Sequence, residues 1–224
     1  AALEAEPELA LPLATMGQPG PCVVRASLAD QPRAAVRAPN TLLAIALGAN
    51  LPSPAGQPLA TLVAVRPLLT QLLQTWGEPL RLHWSPLFNT APVGGPADQP
   101  AYLNAALLVE EASPPSAASA DSLLVRLFQL EQRFGRLRRE RWGPRSLDLD
   151  LLWWGDLHCS DAKLELPHPR LLERCFVLAP LAAIDADLVL PGTQVPVTAL
   201  LAQLQAASPG PAPARLAGRP GWPE

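Results

Sequence analysis

The sequence predicts an α+β fold, a sheet with helices packed on it in three α/β/α layers, and three observations carry that prediction. Two stretches, 58–75 and 121–134, repeat their apolar residues at helical spacing. Four shorter apolar runs, at 41–47, 80–88, 102–110 and from Ser146 to the Trp153-Trp154 pair, have strand length and are punctuated by Gly and Pro. Pro- and Ala-rich segments flank the whole patterned region, which runs from 41 to 205.

Taken in order, residues 1–40 mix Ala, Pro and scattered charge without a sustained period and read as a disordered extension. The run 41–47 is apolar at consecutive positions, as a strand buried on both faces requires. Gly48-Ala-Asn50 ends it. In 58–75, Leu62, Val65, Leu69, Leu72 and Leu73 form one stripe, and Gly77-Glu-Pro79 breaks it. The segment 80–88 alternates as a second strand. Asn89-Thr-Ala-Pro-Val-Gly-Gly-Pro-Ala-Asp-Gln-Pro100 is a long, turn-rich loop, and such loops inside compact domains are usually functional. A third strand spans 102–110. The second helix turns Leu123, Leu124, Leu127 and Leu130 inward and stops at Gly135. Trp153 and Trp154 end the fourth strand and cannot share a face, so at least one is core. A turn at 167–169, a helix at 171–183 interrupted by Pro180, an edge segment at 188–192 and a last helix at 197–204 complete the domain. Residues 206–224 return to Pro, Gly and Ala and read as a disordered tail. The element order β-α-β-β-α-β is that of a ferredoxin-like sheet.

The chain has 224 residues, is 49% hydrophobic and carries a net charge of -3, with a pI near 5.7. That balance opposes a general nucleic-acid binder, whose domain is usually basic. No apolar run reaches membrane-spanning length. Cys22, Cys159 and Cys175 are odd in number and lack C-x-x-C spacing, so they read as reduced thiols of a cytoplasmic protein. The start, Ala-Ala-Leu-Glu, has neither the basic opening of a signal peptide nor a Met, which leaves room for fusion or contact with a neighbouring enzyme.

The chemistry concentrates in Arg141-Trp-Gly-Pro-Arg-Ser-Leu-Asp-Leu-Asp150. On a strand, Asp148 and Asp150 share one face and Leu147, Leu149 and Leu151 the other. Two carboxylates so placed repel, and a hard divalent cation such as Mg2+ removes the conflict while leaving positions for phosphate oxygens and water. Arg133, Arg136, Arg138, Arg139, Arg141 and Arg145 crowd the same segment, and the guanidinium fork suits phosphate. No G-x-x-x-x-G-K-[ST] is present, so metal and arginines must neutralise the phosphates. The pattern points to phosphoryl or pyrophosphoryl transfer from a nucleotide. Two other readings stay open on the residues alone. A nucleotidyltransferase needs a third carboxylate near the pair, and an RNA-binding module needs exposed aromatics on the sheet.

Four blocks in this order, Ile45-Ala-Leu-Gly-Ala-Asn-Leu51, Tyr102-Leu-Asn-Ala-Ala106, the Arg141–Asp150 block and Leu166-Pro-His-Pro-Arg-Leu-Leu-Glu-Arg-Cys-Phe176, resemble the 6-hydroxymethyl-7,8-dihydropterin pyrophosphokinase family over residues 42–204. The resemblance implies a folate-biosynthesis enzyme that transfers pyrophosphate from ATP, its co-substrate, to the pterin hydroxymethyl group and releases AMP, with two Mg2+ ions. It implies Asp148 and Asp150 as metal ligands. Arg138, Arg145, His168 and Arg174 would meet ATP phosphates, and Arg136 would belong to a mobile catalytic loop. Thr90, Asn104 and the backbone near Val93 would read the pterin edge, Tyr102 and Phe176 would sandwich its ring, and Trp142 would cover it. Glu131 matches an acidic position near the site. With Gly135 and Gly143 at its ends, the loop 136–144 reads as a cover that closes over bound ligands.

Overall fold

A computed structural model describes residues 41–76, 80–96, 98–136, 143–207 and 210–223, all within the unit Ala38–Glu224. The expected extension 1–40 lies outside the described residues. Strand β1 (Leu43–Ala49) is the spine of the sheet. It pairs antiparallel with β4 (Tyr102–Glu110) on one side and β5 (Asp148–Trp154) on the other. β2 (Arg81–Trp84) and β3 (Phe88–Thr90) share the far edge of β4, and β8 (Ala214–Arg215) pairs with β3. The order is β5-β1-β4-β3-β8 with β2 beside β4. A two-residue hairpin, β6 (Cys159–Ser160) and β7 (Glu165–Leu166), follows β5.

The two faces of β1 explain the layers. Leu43, Ile45 and Leu47 point to a core shared with Leu62, Val65 and Leu69 of α1 (Pro58–Leu73) and Leu123 and Leu127 of α2 (Ala117–Arg133). Ala44 points to the opposite core, with Val177, Leu178 and Leu181 of α3 (Cys175–Ile184) and Val197 of α4 (Val197–Ala207). Small residues on that face let α3 approach the sheet closely. α2 starts on a capping box, Ser116 and Ser119 bonding each other's backbone N–H. Among the described residues no helix is long and apolar enough to cross a membrane.

Three local expectations change. The expected strand 80–88 is two strands, because Pro86 has no N–H to continue the ladder. Ser85 bridges the break, its N–H donating to Ala106 O and its Oγ accepting from Ala106 N. Pro180 does not interrupt α3 but sits buried within it. The expected disordered tail 206–224 also differs. α4 runs on to Ala207, β8 forms, and Trp222 is buried in the main core against Trp84 at 5.5 Å. Apolar side-chain burial and long-range strand pairing outweigh a composition rich in Pro and Gly. Trp153 and Trp154 are both core, on opposite faces of the sheet.

Candidate active site

β4, β1 and β5 lie side by side, and their registers align Asn104, Gly48 and Asp148 across the sheet. Gly48 leaves room there for the Asn104 amide, since a Cβ would stand 2.8 Å from Asn104 Oδ1. Asp148 and Asp150 alternate outward from β5 while Leu149 and Leu151 enter the core, as the sequence predicts. Their strand spacing is about 7 Å, and at an effective dielectric near 20 their repulsion is roughly 2 kcal/mol. Burial, reinforced by that repulsion, lifts the Asp150 carboxyl to about 6.

Guanidinium groups hold the pair. Arg145 Nη1 donates to Asp148 Oδ2 at 2.7 Å, and Arg174 Nη1 to Asp150 Oδ2 at 3.2 Å. Arg136 Nη1 lies 2.5 Å from Asp148 Oδ1 and also pairs with Glu131. Glu131 is 1% exposed and accepts from Leu149 N, which ties α2 to the carboxylate strand. Burial lifts its carboxyl to about 7 against the pull of Arg136. His168 Nδ1 accepts from Arg170 N, so Nε2 carries the proton of the neutral ring. Burial and the nearby Arg174 push that imidazole down to about 4, keeping it neutral at physiological pH.

Arg145, Asp148, Asp150, His168 and Arg174 line one open cleft of about 190 Å³. Tyr102 and Phe176 share it, with Arg174 stacked 5.5 Å from the Phe176 ring and Tyr102 OH donating to Gly143 O at 3.2 Å. Asn104, 6% exposed, donates from Nδ2 to Thr90 Oγ1 at 2.7 Å. Val93 lies at the mouth, 61% exposed. Of the residues singled out from the sequence, Thr90, Val93, Tyr102, Asn104, Arg145, Asp148, Asp150, His168, Arg174 and Phe176 thus converge on one pocket. Arg136 reaches it through Asp148. Arg138 and Trp142, with most of the proposed covering loop, lie outside the described residues.

Asn50 is a site residue that sequence reasoning missed. Buried at the end of β1, it accepts Arg145 N on Oδ1 at 2.8 Å and donates from Nδ2 to Pro100 O at 3.0 Å. One amide therefore fixes both the entry to β5 and the end of the 89–100 loop. Its sequence signals are a polar residue closing an apolar run and a place in the 45–51 block, and neither shows its partners. The donor set fits a hard divalent cation: two carboxylates on one strand face, with no third His, Cys, Asp or Glu grouped with them among the described residues, leave coordination to phosphate and water.

Paired carboxylates, convergent guanidinium groups and an aromatic slot on an α/β/α sheet define a phosphate-transferring enzyme of small substrates. The family model described as 7,8-dihydro-6-hydroxymethylpterin-pyrophosphokinase matches residues 44–186. The chain is 38% identical over 159 residues to the 2-amino-4-hydroxy-6-hydroxymethyldihydropteridine pyrophosphokinase of Haemophilus influenzae, spanning 71% of this chain and 90% of that one. It is 38% identical over 147 residues to the enzyme of the same name from Pseudomonas aeruginosa, 66% of this chain and 82% of that one. The mitochondrial folate synthesis bifunctional protein of Arabidopsis thaliana is 45% identical over 109 residues, 46% of this chain and 18% of its own. A crystal structure of an HPPK-DHPS in complex with substrates shares the fold with a TM-score of 0.51 at 11% identity, covering 76% of this chain and 44% of that one. The chain belongs to the 7,8-dihydro-6-hydroxymethylpterin-pyrophosphokinase family and is a diphosphokinase.

Proposed function

We propose that this chain transfers the pyrophosphoryl group of ATP to the hydroxymethyl group of 6-hydroxymethyl-7,8-dihydropterin and releases AMP. The observation that carries the reading is the sharing of one cleft by the Asp148–Asp150 pair and by Tyr102, Asn104 and Phe176. The first set suits a charged triphosphate, the second a flat heterocycle with amide-like edges. The pterin hydroxyl oxygen bonds to the β-phosphorus, the bond from that phosphorus to the α,β-bridging oxygen breaks, and its electron pair leaves with AMP. The hydroxyl proton passes to solvent.

Such transfer rests on positioning and on stabilising charge, so no strong protein base is needed. Arg145 and Arg174 are positioned to turn from carboxylate to phosphate oxygens, neutral His168 donates a hydrogen bond from Nε2, and Arg136 and Arg138 add charge from the loop. Thr90, Asn104 and the backbone near Val93 read the pterin edge, Tyr102 and Phe176 hold its faces, and Trp142 covers it. Asp148 and Asp150 would hold two Mg2+ ions, which would supply charge neutralisation for the triphosphate and Lewis acidity toward phosphate oxygens. Incubation with ATP, Mg2+ and the pterin tests the reading. AMP and the pterin pyrophosphate in equal amounts are expected, and release of ADP or free pyrophosphate overturns it.

A further inference from the structure

We infer that residues 210–223 form a strap that positions the pterin half of the cleft through β3, with Trp222 as the positioning residue that anchors it. The inference rests on the pterin reading of that pocket. β3 is only three residues long, yet it carries Thr90 into the cleft and leads directly into Ala91, Pro92 and Val93 of the wall. On one side β4 pairs with it at Phe88, Asn89 and Thr90. On the other side it would be an open edge without β8.

The strap closes that edge at three points. Ala214 and Arg215 pair with Asn89 and Phe88. Leu216 N donates to Leu87 O at 2.8 Å. Trp222 Nε1 donates to Ser85 O at 2.8 Å while its ring stands edge-on to Trp84. Ser85 is itself bonded through both N and Oγ to Ala106 of β4. The strap therefore grips both ends of 85–90, the segment that Pro86 interrupts. Its seat on α1 is close: Gly221 has φ +82°, and a Cβ there would stand 2.9 Å from Val63 Cγ1. No strap residue lines the cleft, and β3 is the cleft-lining strand that the strap pairs with directly. Asp148, Asp150 and Arg174 stand across the sheet, on and beside β5, with β1 and β4 between them and β3. The strap should thus act on one ligand and spare the other.

The test uses the full chain with Trp222→Ala, Trp222→Phe and Leu216→Pro, each verified as folded by circular dichroism and thermal unfolding. Pterin affinity is measured by calorimetry beside a saturating non-hydrolysable ATP analogue with Mg2+, and analogue affinity is measured alone. Trp222→Ala and Leu216→Pro are expected to weaken pterin at least about fivefold with analogue affinity held within about twofold, Trp222→Phe falling between. Faster amide exchange at Asn89, Thr90 and Ala91 should accompany the loss. Pterin affinity unchanged in both Trp222→Ala and Leu216→Pro, or parallel weakening of both ligands, overturns the inference. A wild-type chain that binds no pterin overturns the function reading itself, which is a different result from a strap without effect.

Discussion

Gly48→Ala is the sharpest perturbation the sheet offers. Its added methyl carbon enters at 2.8 Å from Asn104 Oδ1 but at an ordinary 3.9 Å from Asp148 Cβ. The amide must swing away, losing its bond to Thr90 Oγ1, worth about 1 kcal/mol to the fold, and the contacts proposed for it with the pterin edge, worth about 1 kcal/mol each. The ring contacts alone bear on kcat/KM, and about 1–2 kcal/mol there corresponds to a roughly 5- to 30-fold fall for the pterin. Stability moves little, because Ala is favoured over Gly within a strand by about 0.5–1 kcal/mol, which offsets the lost Asn104–Thr90 bond. Steady-state kinetics at saturating ATP should show the loss mainly in KM for the pterin, with a Tm within about 4 °C of wild type. A kcat/KM within about threefold of wild type, a difference of about 0.7 kcal/mol, refutes the placement of Asn104 against the ring. So does an equal loss of nucleotide affinity.

Asp148→Ala and Asp150→Ala each abolish turnover with the fold kept, since the metal contribution lost is several kcal/mol; activity within about tenfold of wild type contradicts the ligand assignment. Arg145→Ala lowers kcat/KM far more than Arg139→Ala, because the Arg145 guanidinium is held on Asp148 in the cleft; equal kinetics mean that the cluster acts as undifferentiated charge. Glu131, raised by burial from 4.5 to about 7, binds its proton more tightly in the folded than in the unfolded chain. Stability therefore falls as pH rises through that window, by roughly 3 kcal/mol when complete. Glu131→Gln flattens the slope, and urea unfolding at about pH 5 and about pH 8 that gives the same slope in both chains rejects the argument.

The sheet, its helices, the Asp148–Asp150 pair and the arginine cluster beside it were legible because their signals are local, whereas the other candidate site residues were reached only through the family resemblance. β4 spans the expected 102–110, and the Asp148–Asp150 alternation follows from strand period alone. What escaped depends on partners distant in sequence. Asn50 bonds residues 50 and 95 positions away, and Trp222 bonds Ser85 across 137. β8 is two residues long, too short for any period to announce it. Gly48 read as the end of a strand, because the cross-strand register that sets Asn104 against it is a property of two chain segments together.

One irregularity in β5 has a wider consequence. The register along β1 shifts between Ala44 and Ile45, so β5 carries one residue more than its partner there. Leu152 and Trp153 consequently enter the same core, and Trp154 the other. A slip of β5 by one residue reverses every side chain beyond that point, driving both carboxylates among the leucines of the larger core. Ionised carboxylates without partners there cost several kcal/mol each. The same slip exchanges the seats of two buried indoles, Trp153 and Trp154. The extra residue thus works as a registration mark: misaligned pairings are excluded from both ends of the strand, and the carboxylates meet the arginines in one alignment.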